Sequence, residues 1–175
     1  WLEVCEKHGF ELEQVWLTHS HWDHAKGVDG LTDKQVWVHT LESERGWDGP
    51  SNQEWTHEAN SFITQNVGEL EFEIHTTPGH TPGHVTFIGE GVVVSGDCMF
   101  LGRCGRTDLF GGDVNAQRSS LLHLRSKLQE IPGDWIVLPG HQYALEDGSN
   151  PRWITVNQLL SDNRALQALD DDNTW

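Results

Sequence analysis

The sequence predicts an α/β layered domain, and three observations carry that expectation. Leu70, Phe72 and Ile74 alternate with Glu71, Glu73 and His75, the period-two signature of a strand with one buried face. Short apolar runs at residues 85–88 and 92–95 continue in that style around Gly89-Glu90-Gly91, which reads as a hairpin turn. Helical periodicity lies at both ends of the chain, an order that suits helices packed on sheets better than a bundle or an all-β barrel.

Taken in order, residues 2–10 have mixed helical periodicity with a stop at His8-Gly9. Residues 14–17 read as a short buried strand and residues 36–38 as another. Residues 48–60, with Gly49-Pro50-Ser51-Asn52, are polar and irregular and are expected to form a loop. Residues 114–130 carry Leu121, Leu122, Leu124 and Leu128 at helical spacing; residues 135–138 then read as a strand and residues 153–169 as a final helix. A short acidic run follows at Asp170-Asp171-Asp172. The length of 175 residues matches one domain over 1–175, large enough to bury a core without disulfides.

Composition excludes several functions. Lys and Arg number 11 against 27 Asp and Glu, a formal charge of -16 that repels phosphate backbones and anionic lipid. No nucleic-acid or membrane partner is expected, and no run approaches the roughly 18 apolar residues of a membrane span. Cys5, Cys98 and Cys104 are an odd, sparse set without CxxC spacing, which fits the reducing cytoplasm. The 11 histidines are the unusual supply, because neutral imidazole is the commonest protein ligand for transition metals.

Those histidines cluster in Thr18-His19-Ser20-His21-Trp22-Asp23-His24, directly after the strand at residues 14–17. His19 and His21, one residue apart on extended chain, leave the same face and can share an ion. Asp23 and His24 follow where the chain turns, suited to a second ion close by. No packing or capping role calls for three imidazoles and a carboxylate together, whereas Trp22 between them reads as packing. Pro78-Gly79 and Pro82-Gly83 force tight turns, and Gly96 and Gly140 mark places where little side-chain bulk is tolerated.

The HxHxDH pattern after a strand resembles the metallo-β-lactamase superfamily, and further blocks extend the resemblance. Thr77-Pro78-Gly79-His80-Thr81-Pro82-Gly83-His84, Ser95-Gly96-Asp97-Cys98 and Pro139-Gly140-His141 look like its later blocks, in the right order. The resemblance implies an αββα four-layer sandwich. It also implies two divalent ions, zinc first with iron or manganese as alternatives: His19, His21 and His80 on one, Asp23, His24 and His141 on the other, Asp97 between them. Ions about 3.5–4 Å apart lower the pKa of a bridging water toward about 7, so a metal-bridged hydroxide can attack while Asp23 and Asp97 position it and take its proton. His84 matches no ligand and reads as packed behind the site; His8, His39, His57, His75 and His123 read as isolated, structural or solvent-facing. Only 18 residues precede His19, so the resemblance implies that the family's first strands are missing from this chain.

Within the superfamily, residues 101–108 and His141-Gln142-Tyr143 look like the glyoxalase II branch, which hydrolyses hydroxyacylglutathione thioesters. There a basic residue after the Cys-Gly pair and a tyrosine two past the last histidine contact glutathione; these are Arg106 and Tyr143 here. Arg106 also has internal partners within reach in Asp108 and Asp113. A competing resemblance is to persulfide dioxygenases, which hold one iron on the equivalents of His19, His80 and Asp97; Trp22 and His84 favour the hydrolase. A third reading is a metal-binding but inactive fragment.

Overall fold

The computed structural model describes residues 2–31 and 33–171, so Trp1 and Asp172 of the acidic run lie outside the described residues. In chain order the elements are α1 (Leu2–His8), β1 (Gln14–Trp16), α2 (Trp22–Ala25), β2 (Gln35–His39), α3 (Thr40–Arg45), β3 (Gln53–Trp55), β4 (Phe62–Val67), β5 (Leu70–Thr76), β6 (Val85–Gly89) and β7 (Val92–Gly96). Then follow α4 (Val114–Leu128), β8 (Ile136–Pro139), β9 (Ile154–Thr155), α5 (Val156–Asp162) and α6 (Arg164–Gln167).

The strands form two sheets. The first is parallel, in the order β1-β2-β3; the second runs β4-β5-β6-β7-β8-β9 and is antiparallel except where β7 pairs with β8. Alternation assigns each strand's faces. In β2, Val36 and Val38 pack with Leu17, Ala25 and Val28 on the outer side of the first sheet, while Trp37 turns inward to Trp55, Ile74, Val85 and Phe87. In β7, Val94 faces that same inner core and Val93 faces Leu121, Leu124 and Leu128 of α4. Apolar contacts therefore layer the chain as helix, sheet, sheet, helix, the α/β arrangement expected from the sequence. Among the described residues no helix is long and apolar enough to cross a membrane.

Local chemistry accounts for the ends of several elements. Glu90 (φ 50°) and Gly91 (φ 81°) both take left-handed conformations, which makes the β6–β7 connection a two-residue primed turn. Asp113 caps α4 by accepting from Asn115 N and Ala116 N, both at 2.8 Å. Thr155 and Gln158 close a capping box at the start of α5.

Two expectations are corrected, and two elements were not anticipated. The loop expected over 48–60 contains β3, because backbone pairing with Trp37, Val38 and His39 outweighs a composition that reads as irregular. β4, unanticipated, pairs with β5 from Leu70 to His75 although Phe62, Ile63 and Thr64 stay exposed and show no buried face. α3 is short and was also not foreseen. The final helix breaks: β9 opens that segment, and Asn163 (φ -75°, ψ 114°) ends α5 and caps α6 by accepting from Leu166 N at 3.1 Å.

Candidate metal centre

The loops at the carboxyl ends of β1, β5, β7 and β8 converge on one cluster. β1 leads through Leu17 to His19 and His21, and α2 then turns Asp23 and His24 back toward them. The connection after β5 delivers His80, the end of β7 delivers Asp97, and the end of β8 delivers His141. All seven residues read as ligands from the sequence meet there. His21 Nδ1 lies 2.9 Å from His80 Nε2, and His24 Nε2 lies 3.1 Å from His141 Nε2. Asp97 reaches both sides: Oδ1 is 3.3 Å from His24 Nε2, while Oδ2 is 3.5 Å from His80 Nε2 and 3.4 Å from His141 Nε2. Asp23 Oδ2 is 3.3 Å from His141 Nε2. Three sets of ligand atoms fall within 4.8 Å of one another: His19, His21 and His80; His19, His24 and Asp97; and Asp23, His24 and His141.

This arrangement fits a pair of cations. His19 is wholly buried and its Nε2 has no hydrogen-bond partner, an orphaned lone pair that burial without an ion would leave uncompensated. Burial, reinforced by the neighbouring imidazoles, drives the pKa of His19 far below its ordinary value, so it stands neutral as a metal ligand must. Burial and His80 push His21 down in the same way. Around Asp97 burial works against the charge, but a hydrogen bond from His24 and the nearby imidazoles hold its carboxyl below the usual carboxylate range. His24 is likewise opposed by burial, yet Asp97 and Asp23 raise it.

Surrounding groups fix how the ligands are presented. His80 Nδ1 donates to the Arg106 carbonyl at 2.7 Å, which sets the tautomer and leaves the Nε2 lone pair facing His21. His84, buried behind the cluster, accepts from Asp97 N and Cys98 N through Nε2, both at 3.1 Å, and pairs with Thr77 Oγ1 through Nδ1 at 2.9 Å. That double acceptance requires a neutral ring, and burial presses its pKa down to about 3. At Gly140 a Cβ would overlap Asp97 Oδ1 and come within 2.8 Å of His24 Cε1. The expectation that bulk is not tolerated there thus has a steric cause.

A cavity of about 540 Å³ opens over the cluster, lined by His21, Asp23, Asp97, Arg106 and Tyr143 among others. Arg106 and Tyr143 both reach it, yet Arg106 is engaged with Asp108 through Nε and Nη2 at 2.6 and 2.7 Å, while Asp113 is spent on its helix cap. Trp22, expected to pack, is instead 74% exposed at the cavity rim. Its place at the start of α2, in the turn between two ligands, points it outward.

Sequence reasoning missed three features. Arg103 stacks over the Tyr143 ring at 4.0 Å and lines the cavity; its place beside the Cys-Gly pair was a usable signal. Glu42 of α3 is a fully buried carboxylate under the ligand loops, with no local signal in a helix so rich in charge. Four of the remaining histidines meet in pairs while keeping the structural role expected of them: His75 Nδ1 lies 2.9 Å from His123 Nε2, and His39 Nε2 donates to the His57 carbonyl at 3.0 Å.

The fold and the site together define a family. The chain belongs to the metallo-β-lactamase superfamily, whose family model matches residues 6–141. Curated relatives sharpen the comparison: proteins named hydroxyacylglutathione hydrolase from Enterobacter sp. (strain 638) and Pseudomonas fluorescens (strain SBW25) are 32% identical over 171 residues and 36% identical over 146 residues. The matches cover 95% and 82% of this chain but 60% and 51% of those relatives, so the chain spans somewhat over half of their length. Among solved structures, the B3 metallo-β-lactamase BLEG-1 superposes with a TM-score of 0.73 at 26% identity, covering 94% of this chain and 82% of that one. TTHA1623 in a di-iron-bound form superposes with a TM-score of 0.71 at 29% identity, covering 93% and 82%.

Proposed function

We propose that this chain is a metal-dependent hydrolase that cleaves thioesters of the hydroxyacylglutathione kind at a centre of two divalent ions. The observation that carries the reading is the pair of three-ligand sets, His19, His21 and His80 against Asp23, His24 and His141, with Asp97 reaching both and a cavity open above them. The relatives' names support the substrate class, and the di-iron form of TTHA1623 supports a two-ion centre. Zinc is the first choice, since imidazole and carboxylate suit it; iron and manganese suit the same donors.

When bound, two such ions supply Lewis acidity and acidify a water toward neutrality. The chain's own residues do the rest. Asp97 and the partly exposed Asp23 are the carboxylates available to orient the attacking water and accept its proton. His80 keeps its Nε2 lone pair inward through the bond from Nδ1 to the Arg106 carbonyl. Tyr143, with Arg103 against its ring, offers a polar platform for the departing thiol, and Arg106 would leave Asp108 to meet a substrate carboxylate. No cysteine nucleophile is needed: burial pushes the Cys98 thiol up to about 12, which removes the thiolate. Overall, water adds across the carbon–sulfur bond, giving a carboxylic acid and a free thiol. The partner is a small molecule, with no nucleic acid or membrane, in a cytoplasmic setting that three free cysteines suit.

The test measures bound metal and then compares two reactions, thiol release from lactoylglutathione and oxygen uptake on glutathione persulfide. Thiol release without oxygen uptake is expected. Bound iron with oxygen uptake and no thiol release would replace the hydrolase with one-iron oxidation on His19, His80 and Asp97. Metal binding with neither reaction would leave a non-catalytic metal domain.

A further inference from the structure

Glu42 lies under the centre without touching it. Its side chain is fully buried, and each oxygen is used by a different ligand loop. Oε2 accepts from Ser20 N at 2.9 Å and from the Ser20 hydroxyl; Oε1 accepts from Gly83 N at 2.9 Å. Ser20 is the residue between His19 and His21, and Gly83 lies three residues after His80. Arg45, one helical turn along α3, pairs with Oε2 at 3.5 Å and donates from Nη2 to Ser20 Oγ at 3.0 Å. The Gly83 loop approaches so closely that a Cβ there would stand 2.8 Å from Glu42 Cγ and Glu42 N.

We propose that Glu42 is a positioning residue that sets the spacing of His19, His21 and His80, by clamping the loop of the first two to the loop of the third. The inference rests on the two-ion reading given above. Only an ionised carboxylate serves, because both oxygens must accept; a glutamine would turn an amide N–H against either Ser20 N or Gly83 N. Burial alone would raise this carboxyl, but the Ser20 hydrogen bonds and Arg45 hold it below the usual range, so it stays charged. The clamp acts mainly on one set: Ser20 sits between His19 and His21 and Gly83 follows His80, whereas Asp23 and His24, later in the same connection, are carried by α2, and His141 comes from the loop after β8.

Selectivity supplies the test. Replacing His141→Ala leaves the first set for study, and replacing His21→Ala leaves the second. Zinc affinity is measured in each background, with and without Glu42→Gln, by competition with a chromogenic chelator, alongside the melting temperature of the metal-free proteins. Glu42→Gln should weaken zinc by about 10- to 100-fold in the His141→Ala background and by less than about threefold in the His21→Ala background. Equal weakening in both would mark a general structural role and overturn the inference, as would unchanged affinity in the first. Should Glu42→Gln not fold, Ser20→Ala removes the hydroxyl that donates to Glu42 and accepts from Arg45, and leaves the Ser20 N bond in place. It should weaken the first set by about three- to tenfold, and no change there would equally overturn the clamp. Zinc binding by the parent chain with no selective effect sinks only this inference; no zinc binding by the parent chain sinks the metal centre as well.

Discussion

Gly140 and His75 show how single residues constrain this molecule, one among the ligand loops and one within the second sheet. At Gly140 the ligand loops leave no room, since a Cβ would overlap Asp97 Oδ1. Gly140→Ala should therefore displace Asp97 from between the two sets and weaken metal binding by about tenfold or more, read by chelator competition; unchanged affinity would show that the loop yields freely. His75 is buried away from the centre, with Nε2 2.9 Å from Glu73 and Nδ1 2.9 Å from His123. Burial lowers its pKa from 6.5 to about 4, against the pull of Glu73. Between those pH values the unfolded chain binds a proton that the folded chain does not. The stability that neutral His75 contributes is therefore complete above about pH 6.5 and is lost as pH falls toward 4, at most about 3 kcal/mol. Denaturant titrations from pH 7 to 4 should show a shallower decline in His75→Gln, and an identical slope would refute the assignment.

Among the elements, the break between α5 and α6 bears on the cavity through Asn163. Asn163 is fully buried; its Nδ2 donates to the Phe100 carbonyl at 2.7 Å and lies within 3.4 Å of those of Leu101 and Arg103, while Oδ1 caps α6. It thereby pins the segment that carries Arg103 and Cys104. Asn163→Ala should cost about 2–3 kcal/mol in urea unfolding, from a lost cap and stranded carbonyls, and a cost below about 0.5 kcal/mol would contradict this role. From sequence the break was invisible, because residues 153–169 keep helical spacing across Asn163 and the carbonyls it serves lie about sixty positions away. β3 and β4 were hidden for related reasons: polar residues disguise the one, and the exposed side chains of the other carry no alternation. The centre itself was far more legible. His19, His21, Asp23 and His24 are local in sequence, so spacing alone implies a shared ligand face; His80, Asp97 and His141 entered through resemblance of whole blocks. Glu42 had neither advantage, since its meaning depends on two loops that only the fold brings to it.

At the scale of the whole molecule, the two sheets meet on a layer of aromatic residues, and the metal loops all leave the same end of that sandwich. Trp16, Trp55, Phe72 and Phe87 make edge or tilted ring contacts, and Trp37 stacks on Trp55 at 5.5 Å. This apolar layer fixes where β1 and β5 end, and hence how His19 and His80 meet. Because the ligands come from four separate loops, ions that bind only the folded chain should stabilise all of it. Zinc at about one hundred times its dissociation constant should raise the melting temperature by roughly 5–10 °C, and a chelator should reverse the rise; no shift would mean that the loops gain nothing from an ion. The formal charge of -16 favours cation uptake by the molecule as a whole but cannot produce a fixed stoichiometry.

Stoichiometry is thus the most direct test of the two-ion centre. Metal content per chain, measured after exhaustive dialysis for the parent protein and for Asp23→Ala, should be two equivalents and one. Asp23 belongs only to the set with His24 and His141. Thiol-releasing activity should fall with the lost ion. A single equivalent in both proteins, with activity unaffected by the substitution, would contradict the two-ion centre.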